Sequence, residues 1–79
     1  MTDIEFKATL QMLIPMVIQV IMDNKKINNI EAIKLLYLSK LYKKLELEKT
    51  KLWYLSPLAL YEILEIELST GKLVFPNGT

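Results

Sequence analysis

Glu62 and Glu65 stand three residues apart, the spacing that puts two carboxylates on one face of a helix. Paired carboxylates can divide general acid and base work only where their surroundings push their pKa values apart. The neighbouring sequence supplies no such burial, so the pair reads as a solvated helix stripe. The chain has no His and no Cys, which removes the commonest general base and the thiolate metal sites. Its two glycines, Gly71 and Gly78, are not placed before a helix as a phosphate-cradling loop requires. Tyr37, Tyr42, Tyr54, Tyr61 and Trp53 are amphipathic packing residues before they are candidate acids. No catalytic residue, metal or cofactor is expected.

Binding chemistry is better represented. Residues 1–24 carry a net charge of −2, residues 25–51 of +5 and residues 52–79 of −2. Lys40, Lys43 and Lys44 in the basic middle are the candidates for contact with nucleic acid. Against that role, every basic residue is Lys, so the bidentate Arg fork that reads guanine and phosphate is missing. The helix that would serve for recognition, from Pro57, carries Glu62, Glu65 and Glu67 and no cation. Lysine stems also cover apolar surface while their ammonium groups solubilise it. Protein partners fit other residues: Met12 and Met16, because flexible Met surfaces recur at adaptable interfaces, and Trp53 and Tyr54 as aromatic anchors. Phe75 joins them in an extended C-terminal arm.

The elements that must position these groups are legible from caps and periodicity. In Leu10–Met22 (LQMLIPMVIQVIM) only Gln11 and Gln19 are polar, within a chain of 79 residues. A domain this small buries only about 60% of its unfolded surface, so an apolar helix of this kind needs cover from its own chain or another. An apolar run of this length reads as a buried helix more often than as a membrane span, which needs ~20 residues, and MTDIEFK before it has the wrong charge for a signal peptide. A soluble, cytoplasmic protein is expected, and the lack of cysteine fits a reducing compartment. Thr2-x-x-Glu5 has capping-box form, opening a first helix that runs to about Asp23. Pro15 should kink that helix near Leu13–Ile14 or divide it. Asn28 and Glu31 start a second helix, whose apolar positions Ile30, Ile33, Leu36, Tyr37, Leu41 and Leu45 keep helical spacing. Leu47–Tyr54 forms a short helical turn. Ser56-Pro57 opens the last helix, which Gly71 ends near Ser69. Lys72–Pro76 is extended, as an arm on the core or a strand added to a partner's sheet.

Three stretches carry a resemblance: Ser39-Lys40-Leu41-Tyr42-x-x-Leu45, Thr50-Lys51-Leu52-Trp53-x-x-Ser56-Pro57 and Thr70-Gly71-Lys72-x-x-Phe75-Pro76. Across about residues 27–76 the chain resembles a group of small, uncharacterised helical bacterial proteins. That resemblance implies an accessory or antitoxin-like role beside a small toxin or another helical partner, and it carries over no catalytic residue.

The expected fold is one all-α domain over residues 1–79, a small bundle of three main helices plus a short helical turn, closed by the C-terminal arm. The expected function is a non-catalytic protein–protein interaction module, as a homodimer or as a small accessory subunit. A Lys-mediated nucleic-acid-binding or transcriptional accessory protein is the alternative.

Overall fold

Each helix begins where a side chain can accept the backbone amides that its first turn leaves unpaired. A computed structural model describes residues 2–73. Thr2 caps α1 (Asp3–Lys25): its hydroxyl accepts from the Glu5 amide at 3.1 Å, and the Glu5 carboxylate accepts from the Thr2 amide at 2.9 Å. Asn28 caps α2 (Asn29–Tyr37) through the Glu31 amide at 2.8 Å. Ser56 caps α4 (Pro57–Thr70) through the Ala59 amide, and Pro57 occupies its first position. Gly71, with φ of 77°, terminates α4 in the left-handed conformation that glycine adopts without a Cβ penalty.

Pro15 does not divide α1, which is continuous from Asp3 to Lys25. Proline removes the amide that would bond the Gln11 carbonyl. Both residues are exposed, so water reaches the group left unpaired. Lys26 ends the helix in a left-handed cap, its amide bonding the Met22 carbonyl.

The second expected helix is in fact two. α2 stops at Tyr37, and α3 (Lys40–Leu45) restarts on Ser39, giving four α-helices among the described residues instead of three. Apolar spacing alone hides this break, because Leu36, Leu41 and Leu45 are all buried on either side of it. Ser39 is buried but satisfied: its hydroxyl donates to the Leu36 carbonyl and accepts from the Tyr42 amide at 3.1 Å. Two single 3₁₀ turns, Glu48–Thr50 and Leu52–Tyr54, lead to α4.

α1 packs chiefly against α4 and α2, while α3 bridges α2 and α4. The core joins Leu13, Val17 and Ile21 of α1 to Ala32 and Leu36 of α2, Leu41 and Leu45 of α3, Leu52, and Leu60, Ile63 and Leu64 of α4. The fold is therefore an all-α bundle, as its sequence predicts. The extended arm lies largely outside the described residues.

One long-range contact locks the break in place. The Glu67 carboxylate on α4 accepts from the Lys40 amide at 2.7 Å and the Leu41 amide at 3.0 Å. With Ser39 taking Tyr42, the first three amides of α3 are all satisfied. In return, Lys40 Nζ donates to the Gly71 carbonyl at 3.0 Å, at the C-terminal end of α4. Cation at one helix end and anion at the other both suit the helix dipoles. Glu67→Ala should cost about 1–2 kcal/mol, the worth of a lost charged cap. Urea denaturation should show a lower midpoint with an unchanged slope.

Candidate functional site

Because α1 turns once every ~3.6 residues, its buried and exposed positions separate into two faces. Phe6, Leu13, Val17 and Ile21 point inward. Ile4, Ala8, Gln11, Met12, Pro15, Met16 and Gln19 are exposed. Met12 is 67% exposed and Met16 50%. No charged residue occurs between Lys7 and Asp23, so this outer face has no charge over residues 8–22. At ~1.5 Å per residue the neutral stretch is ~22 Å long. An exposed helix face normally carries charge across from its buried stripe. This one carries thioethers, a proline ring and two glutamines.

By length and composition α1 could cross a membrane, and the core helix of a soluble protein meets the same description. Its inner face is occupied by α2 and α4.

The aromatic candidates divide between surface and core. Tyr54 is 73% exposed, and its ring stacks on Trp53 at 4.3 Å between centroids with 21° between planes. Trp53 is half-buried and packs against the core. Its 3₁₀ turn contacts α1, which makes Trp53 a support for the bundle and Tyr54 its exposed extension. Phe75 lies outside the described residues.

Lys40, Lys43 and Lys44 are brought together on α3, beside Lys72, a fourth cation the sequence pattern did not single out. Together with Leu47, Gly71 and Leu73 they border an open concavity of about 460 Å³. Lys72 arrives there because α4 ends against the start of α3. No local sequence signal could have placed it. The Lys40 ammonium is already engaged by the Gly71 carbonyl, leaving Lys43 and Lys44 as the exposed cations on α3.

The carboxylate pair on α4 is separated by its surroundings. Glu62 is exposed, whereas Glu65 faces α1 and forms an ion pair with Lys25. The Glu65 hydrogen bond holds the Lys25 ammonium above its ordinary pKa, outweighing partial burial. Among the described residues no group of three or more His, Cys, Asp or Glu could hold a metal ion.

Tyr42 stacks on Tyr37 at 4.4 Å with 15° between planes. Burial first, then the Glu46 carboxylate and Tyr37, push the Tyr42 phenol up to about 12. Burial and Glu65 likewise raise Tyr61. In each tyrosine the folded chain favours the neutral phenol, so that stabilisation is complete below pH ~10, the unfolded value. It declines as pH rises toward the folded value. Lys25, also raised, contributes below its unfolded value and loses that contribution at still higher pH. Stability should therefore fall between pH ~10 and ~12. In urea titrations across this range, Tyr42→Phe should make the decline shallower.

No protein-family model, curated protein or solved structure matches this chain.

Proposed function

We propose that the chain is a non-catalytic protein–protein interaction module whose binding surface is the outer face of α1. The observation that carries this reading is the uncharged, methionine-bearing helix face, left exposed although the inner face of the same helix is fully used. Flexible thioethers adapt to a partner's contour, and apolar area removed from water contributes ~25 cal/mol per Å². Tyr54, held outward by its stack on Trp53, is a candidate second contact. A cytoplasmic accessory or antitoxin-like subunit is the role we propose for such a module.

Site-specific photo-cross-linking tests it. A photoreactive residue at Met12 or Met16 should give a discrete adduct in cells expressing the chain, and one at the exposed Lys34 should not. No adduct from either methionine position would overturn the reading.

The lysine-rimmed concavity favours a second reading, in which α3 and Lys72 contact nucleic acid. Three acids on α4 and the prior engagement of Lys40 oppose it. Duplex binding should then be no tighter than the non-specific range of about 10⁻⁴–10⁻⁶ M at physiological salt. Submicromolar binding whose salt slope flattens in Lys43→Gln/Lys44→Gln would favour the second reading.

A further inference from the structure

We infer that the partner of the α1 face is a second copy of this chain, docked antiparallel about a twofold axis at Pro15. This rests on the reading of α1 as a binding surface and names its occupant. The face is complementary to itself. A twofold axis perpendicular to both helices sets each residue opposite one equally far on the other side of Pro15 in the second copy.

That register places Gln11 opposite Gln19 of the second copy, twice by symmetry. Both lie near the middle of the exposed face. Gln19 already donates one amide hydrogen to Asp23 at 2.9 Å and keeps another. Gln11 offers its side chain and the backbone carbonyl that Pro15 leaves without an intrahelical donor. A dry interface could not bury that carbonyl without a donor. The second copy supplies one at the matching position.

The remaining pairs fit as well. Met12 and Met16 of the second copy, two residues from strict opposition, share one edge of the face. Ala8 leaves room for the half-buried Met22. At the rim, Lys26 of one copy stands between Glu5 of the other and its own Asp23, a cation between two carboxylates. Antiparallel docking also sets the acid-bearing start of each helix beside the lysine-bearing end of the other, as the helix dipoles favour. A parallel pair would set Glu5 against Glu5 and Lys26 against Lys26. With a single helix face as its contact, the dimer belongs with the weak, small interfaces, and self-association is expected in the micromolar range.

The absence of native cysteine allows a direct test on the full chain. Sedimentation of the unmodified protein should show a monomer–dimer equilibrium, and Met12→Glu/Met16→Glu should weaken it at least tenfold with helicity unchanged. Oxidising a mixture of Gln11→Cys and Gln19→Cys chains should give mainly the mixed disulfide. Self-linked Gln11→Cys as the main product would overturn the antiparallel register. A chain that stays monomeric at several hundred micromolar would overturn the homodimer. An α1 photo-adduct with the mass of one chain plus a different protein would also defeat the homodimer, while leaving α1 a binding surface. No α1 adduct at all would defeat both.

Discussion

Val17→Glu should unfold the chain, while Met16→Glu, one residue earlier on the same helix, should leave the fold within about 1 kcal/mol of the parent. Val17 is fully buried in the core that α1 shares with α2, α3 and α4, where a carboxylate finds no partner among the apolar residues that join it. Burying an unpaired charge costs several kcal/mol even after the group protonates. A domain of this length is stable by only about 4–12 kcal/mol. Met16 is half exposed, and Glu is nearly as good a helix former as Met. Far-UV circular dichroism with urea denaturation reads both outcomes. Loss of helicity in Met16→Glu would show that this face is needed by the monomer's own fold. A folded Val17→Glu would mean that the inner and outer faces of α1 had been exchanged.

That contrast isolates what the sequence could and could not say about α1. Its apolar residues nearly encircle the helix, so periodicity announces a helix without stating which side is covered. Only packing decides, and it chooses Leu13, Val17 and Ile21 over Ile4, Met12 and Met16. The caps were legible because each is local. Thr2 with Glu5, Asn28 with Glu31, Ser56 with Pro57, and Gly71 all act within a few residues of the ends they define. The division between α2 and α3 was not legible, for the same physical reason in reverse. Ser39 has no acid three residues on, where Tyr42 stands, and so lacks a capping box. The carboxylate that completes this helix start is Glu67, distant in sequence and delivered by α4. Lys72 joins the other lysines through the same joint. Candidate residues on a single helix are visible as a pattern, whereas a group assembled across the α3–α4 contact is not.

Trp53→Ala should be the most costly change outside the central core, destabilising the chain by about 3 kcal/mol. Full burial of a tryptophan would set a higher value. Trp53 is half-buried, with one part of its ring against the core and its stacking face toward Tyr54. Removing it withdraws the plug next to Leu52 and Leu55 and loosens the turn that contacts α1. It also removes the ring on which Tyr54 rests. Tyr54→Ala deletes only the outer partner of that stack and should cost about 0.5–1.5 kcal/mol. The order of the two effects assigns the roles. If Trp53→Ala lowers the denaturation midpoint far more than Tyr54→Ala, Trp53 belongs to the fold and Tyr54 to the surface. An unchanged midpoint in Trp53→Ala, together with tenfold weaker self-association, would place Trp53 in the binding face instead. Association must therefore be measured on each variant at a urea concentration where both remain folded, so that lost stability is not mistaken for lost contact.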